Sequence, residues 1–286
     1  MLLKKDMAKA SVVMGTTVAT GTFIVYGLSA IFARFDFKLS FYVATAVLFI
    51  VTVVWVVSVS KLIKKVKSDE ADEDPPMLFS TEMNNAESEK KLILRSIVML
   101  AFYGVVTNLI KDGLTTWVPS ILKEQYHLDD SLSIVLTLAL PVVSIFGNAF
   151  AVSVHKKIPD FVMQCVLAFL CSGVIIGGVI GGLSFGSFLL TLVGFALVCF
   201  LVSSCNSLII RIFPLFMKGK VNSGLIAGIL NGFCYLGSTI SSNGLGTLAD
   251  AYGWYAVFWL LFDFCVLSIV FGIGYFLFNR INGLKK

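Results

Sequence analysis

Residues 109–124 read LIKDGLTTWVPSILKE and set a lysine and an aspartate, Lys111 and Asp112, inside an otherwise apolar run. No charged residue occurs from 96 to 110, and none from 113 to 122. A charged side chain at the centre of a spanning helix costs about 2.5–3.5 kcal/mol on insertion scales, so such residues face protein, water or a ligand and mark a pathway. Gly113 and Pro119 flank the pair and would let the helix bend or open there, freeing backbone groups beside a cavity. The stretch reads as a transporter helix if the rest of the chain spans a membrane.

Composition says that it does. Of 286 residues, 57% are hydrophobic, 13% aromatic and 14% charged, and the mean hydropathy is +0.92. Too little polar material remains to cover a soluble globule of this size. The expected fold class is therefore an all-α membrane protein, partnered by the lipid bilayer. A helix crosses the hydrocarbon core in about 20 residues, and charge-free runs cover 10–33, 39–60, 131–154, 161–210 and 221–249. The run 161–210 must hold two helices with a turn near 181–187. Adding the Lys111 segment and 251–279, which contains Asp263, predicts eight transmembrane helices.

The opening MLLKKDMAKA resembles the start of a secretory signal, but the apolar run behind it is too long for one and reads as a retained helix. Six cysteines lie in apolar spans without a CxxC or Cys/His cluster, which predicts neither a disulfide framework nor a metal site, and no cofactor. No Ser/His/Asp, Cys/His or Walker-type constellation appears, so an enzyme is not expected. With the amino terminus inside, 18 Lys and Arg fall on cytoplasmic segments against three outside, Lys111 set aside and Arg211 counted among the 18. That bias predicts a multi-pass protein of the plasma membrane with both termini cytoplasmic. The formal charge of +5 then expresses topology, and no nucleic-acid partner is needed.

Small residues crowd the first span, where Thr16, Thr17 and Thr20 either satisfy their own backbone carbonyls or touch a solute. From 61 to 91 the chain is polar, carries eight of the 17 acidic residues and holds Pro75–Pro76, a composition that cannot fold alone. The expected organisation is two helices in 1–63, a cytoplasmic linker in 64–91 and six helices in 92–286. That count would become even if four more spans preceded Met1. Glycines recur every four residues at Gly173, Gly177 and Gly181 and again at Gly224, Gly228 and Gly232, followed by Gly237, as expected of helices in close contact. Asn148, Asn206, Asn231, Tyr235 and Asn243 either line a cavity or bond a neighbouring helix. Asp263 is expected to face protein or a cavity, as a structural carboxyl or a proton-coupling group. His127 and His155 sit at loop boundaries and read as interfacial residues.

LIKDGLTTWVPSILKE as the first helix after a long central loop, with NSGLIAGILNGFCYLGS and GTLADAYGWYAVF further on, resembles the major facilitator superfamily. Within it the closest likeness is to the organophosphate:phosphate antiporter group, typified by glycerol-3-phosphate and hexose-phosphate transporters. The resemblance implies two six-helix halves around a central cavity. The first two spans here would be the last two helices of an N-terminal half, and 92–286 a complete six-helix C-terminal half. The first four helices would be missing, and transport would need them. In the resembled group an arginine in the first helix of each half grips the substrate phosphate. The second falls on Lys111, which keeps the charge without the planar fork of arginine.

The leading expectation is thus a carrier of a small anionic solute, an organic phosphate or sugar phosphate, working by alternating access. Lys111 would be the anion anchor, with Asp112, Asn108, Trp117, Asn231 and Tyr235 as further substrate-binding candidates. In a carrier of another solute, or a drug exporter with proton coupling, Lys111 and Asp112 would instead form a gating ion pair. Adjacent residues point about 100° apart on a helix, so that pairing is not automatic. A transporter-like membrane sensor or an inactive fragment are readings of a different class.

Overall fold

A computed structural model of the chain describes residues 37–66 and 87–281, together with 17, 20–25 and 27–28. The first expected span at 10–33, most of the linker at 64–91 and the tail beyond 281 lie largely or wholly outside the described residues.

The described chain is helical. Its elements are α1 (Phe37–Val66), α2 (Glu87–Tyr126), α3 (Asp130–Thr137), α4 (Ala139–Lys157), α5 (Phe161–Ser184), α6 (Phe188–Ser207), α7 (Phe213–Phe216), α8 (Ser223–Ile240) and α9 (Gly246–Ile281). Two π-helical turns, Leu208–Ile212 and Ser241–Leu245, join α6 to α7 and α8 to α9. Side-chain caps fix two starts: Asp160 accepts from the amides of Val162 at 2.9 Å and Met163 at 3.1 Å, and Asn222 accepts from Leu225 at 3.0 Å. Each satisfies a donor that the first turn leaves unpaired.

Six described segments are long and apolar enough to cross a membrane. The last, Ser223–Ile281, runs 59 residues, or about 88 Å at 1.5 Å per residue, against a hydrocarbon core of about 30 Å. Its contacts with α2 show where it turns back. Going out, Lys220 pairs with Glu89, Gly237 lies against the backbone of Val105 and Leu109, and the Trp254 indole donates to Glu124 Oε2 at 2.7 Å. Coming back, the Tyr103 hydroxyl donates to the Ser268 carbonyl at 3.1 Å, the Ser96 and Tyr275 hydroxyls bond at 2.7 Å, and Arg95 Nη1 donates to Asn279 Oδ1 at 3.1 Å. The reversal falls at Gly253, whose φ of 79° and ψ of 169° interrupt the helix and suit a residue without a Cβ. The segment is therefore two antiparallel crossings flanking α2.

α2 is the spine of the bundle. Tyr103, Ile110, Val118 and Leu122 are fully buried along it, and at 40 residues it extends about 60 Å, so its charged ends emerge on both sides. By contrast α1 has none of its most apolar stretch buried and exposes Phe41, Phe49 and Trp55.

Some local expectations need correction. Gly113 and Pro119 do not open α2, which stays helical through both. A Cβ at Gly113 would sit 2.6 Å from Leu245 Cδ1, so this glycine serves a close helix contact. Gly177, Gly181, Gly228 and Gly232 have nothing within 4 Å of a Cβ position, because their stripes face away from neighbours. The closest approaches to backbone are at Gly147 and Gly237, where a Cβ would collide with the carbonyl oxygens of Phe200 and Val105. His155 is buried rather than interfacial, stacked 4.4 Å from Phe161 and bonded through Nδ1 to Gln164.

Candidate functional site

Four helices each turn one stripe of polar residues toward a common cavity of about 370 Å³. α2 contributes Asn108, Lys111, Asp112 and Thr115, and α8 contributes Asn231, Cys234, Tyr235 and Ser238. Both follow the i, i+3, i+4, i+7 spacing that lines up one helical face. α4 adds Pro141, Ser144 and Asn148 at the same period, and α6 with its π turn adds Ser203, Asn206, Ile210 and Arg211. A π turn takes more residues than an α turn, so the one at Leu208–Ile212 rotates Arg211 back toward the face of Ser203. Thr22 lines the cavity too, as the one lining residue outside 87–281 among the described residues. The volume lies toward the lower end of small-molecule sites, roughly 300–1,000 Å³.

Within it Lys111 Nζ stands 3.2 Å from Asp112 Oδ1 and donates to Asn108 Oδ1 at 3.2 Å. Asn206 Nδ2 donates to that same oxygen at 2.8 Å, tying α6 to α2. The other Asp112 oxygen accepts from the Ser238 hydroxyl of α8. The ion pair is thus braced from two further helices, and its side chains are 21% and 33% exposed. Arg211 is half-buried, and its Nη1 donates to Ser207 Oγ at 3.1 Å. No carboxylate among the described residues lies within ion-pair distance of it. Ser203 Oγ is buried without a hydrogen-bond partner.

The sequence-predicted candidates divide accordingly. Asn108, Lys111, Asp112, Asn231 and Tyr235 come together around the cavity. Trp117 does not: its indole donates to the Ser241 carbonyl at 3.1 Å, and its ring packs 5.9 Å from that of Trp254. Asp263 is exposed on α9 and away from the lining, so it faces neither the packed interior nor this cavity. Asn148 and Asn206 line the cavity; Asn243, in the second π turn, does not.

Arg211 is the residue that sequence reasoning misplaced, by assigning it to a cytoplasmic loop. The helical path from Phe188 continues without a loop to Phe216, which puts Arg211 inside the span. The available signal was the apolar IleArgIlePhePro context, in which no other charge lies within six residues of Arg211 on either side.

The family model described as Major Facilitator Superfamily matches residues 1–242. No curated protein matches the chain.

Proposed function

The chain belongs to the Major Facilitator Superfamily, and on that premise we propose that it carries a small anionic solute, an organic phosphate or sugar phosphate, by alternating access. Proteins of this family are transporters that move small molecules through a bilayer, and the apolar helices described above suit a multi-pass membrane protein. The anionic specificity rests on one observation: Lys111 stands in a polar cavity midway along a helix of membrane-crossing length, bonded to Asn108 and paired with Asp112. A bound anion offsets the cost of holding that ammonium away from bulk water.

In the same proposal 92–286 is the C-terminal half of the carrier, the two preceding helices close an N-terminal half, and the protein has eight spans with both termini on the cytoplasmic face of the plasma membrane. Transport then depends on a second half facing the cavity. The second reading, a gated carrier of another solute, is favoured by the Lys111–Asp112 contact at 3.2 Å, since such a pair can break and reform as a gate.

Thiol protection separates the two. Ser144→Cys places a reactive group on the cavity lining, and Ser242→Cys places one on an exposed position outside it. Glycerol phosphate should slow alkylation at the first and leave the second unchanged, with glycerol inert at both. Equal rates with and without every anion tried would remove the anion reading.

A further inference from the structure

The cavity holds two cations, and the second is the less compensated. Resting on the anion reading above, we propose that Arg211 is the principal grip on the oxyanion of the solute, with Lys111 as a second contact that Asp112 holds in reserve.

Lys111, Asp112 and Arg211 are the charged groups on the lining. Asp112 lies against Lys111 and is bonded by Ser238, so the positive charge left over resides on Arg211. A half-buried guanidinium at membrane depth without a carboxylate is a costly arrangement that a bound anion corrects.

α6 runs antiparallel to α2, with Tyr126 meeting Thr191 at one end and Asn108 meeting Asn206 further along. Arg211 therefore lies toward the membrane end occupied by Glu89. An arginine snorkelling to that interface would extend away from Ser207. Instead its Nη1 donates to Ser207, one turn deeper. Long helical side chains lean toward the amino terminus of their own helix. On antiparallel helices Lys111 and Arg211 therefore lean toward each other, and both heads approach the layer of Asn108 and Asn206.

Ser203 lies beside the two cations on the same cavity wall as Arg211. It lines the cavity and is 2% exposed, and its buried hydroxyl has no hydrogen-bond partner. It stands three residues before Asn206, as Lys111 stands three after Asn108, so on antiparallel helices the two share a level. Buried hydroxyls are seldom left unbonded, and an oxyanion between the two cation heads gives this one an acceptor. The guanidinium offers a planar pair of donors that match two oxygens of a phosphate or carboxylate, which an ammonium cannot do. The ligand chemistry assigned is thus an oxyanion held by Arg211 from α6, Ser203 from the same helix and Lys111 from α2.

The test is calorimetric titration of the full chain in nanodiscs with inorganic phosphate and, separately, acetate. The parent should bind at least one, and the tighter of the two identifies the oxyanion. Arg211→Gln should weaken that binding ten- to a hundredfold, the range of a charge-assisted contact, and by more than Lys111→Gln does. Arg211→Lys should fall between, because it keeps charge and loses the fork. In the unsubstituted chain, phosphate should slow phenylglyoxal modification of Arg211, read by peptide mass spectrometry, and leave Arg280 unchanged. If Arg211→Gln binds within twofold of the parent while Lys111→Gln is weakened, the cavity remains an anion site and the Arg211 assignment is wrong. Equal phenylglyoxal rates at Arg211 with and without bound phosphate reject it without any variant. If the parent binds neither anion, the anion reading fails and the assignment with it.

Discussion

Neutralising Asp112 should tighten anion binding, and neutralising Lys111 should loosen it. Lys111 Nζ is 3.2 Å from Asp112 Oδ1 and 3.2 Å from Asn108 Oδ1, so part of its charge is already spent before a solute arrives. A charge-assisted contact contributes about 1.5–3 kcal/mol, and the competing carboxylate puts Lys111→Gln at the lower end, about tenfold in affinity. For Asp112→Asn the quantity removed is its repulsion of the bound anion. Two unit charges ~6 Å apart interact by ~2.8 kcal/mol at an effective dielectric of ~20. The Asp112 side chain is 33% exposed, and solvent screening cuts the figure to about half. The expected gain is about tenfold tighter binding. The double variant Lys111→Gln/Asp112→Asn restores the formal charge of the parent cavity and should bind within a few fold of it. Titration calorimetry with inorganic phosphate on the parent, both single variants and the double reads all four corners. Weaker phosphate binding by Asp112→Asn would refute the electrostatic reasoning, and an unchanged Lys111→Gln would remove Lys111 from the site.

Three further outcomes follow from the architecture. Gly237→Ala places a Cβ against the Val105 carbonyl oxygen and should destabilise the α2–α8 contact by about 1–3 kcal/mol, whereas Gly228→Ala, with open space around it, should not; thermal unfolding of the pair checks this, and equal midpoints would count against the packing. Single cysteines at Ser80 and Asn282 in a Cys-free background should resist an impermeant thiol reagent in intact cells, and labelling at either without lysis would overturn the proposed orientation. Reconstituted alone in liposomes, the 286 residues should give no counterflow above empty vesicles, because in the proposal above alternating access needs a second half facing the cavity; saturable flux would show that the chain, or an oligomer of it, supplies both halves.

Much of this fold is written in composition and spacing. Charge-free runs of membrane length locate the long apolar helices among the described residues, and Lys111 with Asp112 marks the cavity because no apolar context accommodates them cheaply. Helical period then explains why Asn108 shares a face with them on α2, and Asn231 with Tyr235 on α8. What sequence could not provide was facing. Gly228 and Gly237 look alike in a repeat of small residues, yet one meets open space and the other a backbone carbonyl, since the partner surface belongs to α2. Trp117 lies on the same helix as Lys111 but turns toward Ser241. Asp263 looked internal because it is buried in apolar sequence, while the side of α9 that it occupies is exposed. Arg211 was hidden by a boundary: counting charges by loop assumes that a helix ends where its apolar run ends, and the π turn carries α6 past that point.

The central claim is that the cavity selects a solute for its negative charge. Titrating the unsubstituted chain in nanodiscs with glycerol phosphate and with glycerol isolates that charge, since the two differ only by the phosphate group. Glycerol phosphate should bind saturably, with affinity that falls as salt is raised, and glycerol should give no heat beyond dilution. Binding of glycerol with equal or greater affinity, or heat from neither ligand while a neutral or cationic solute binds, would contradict the account.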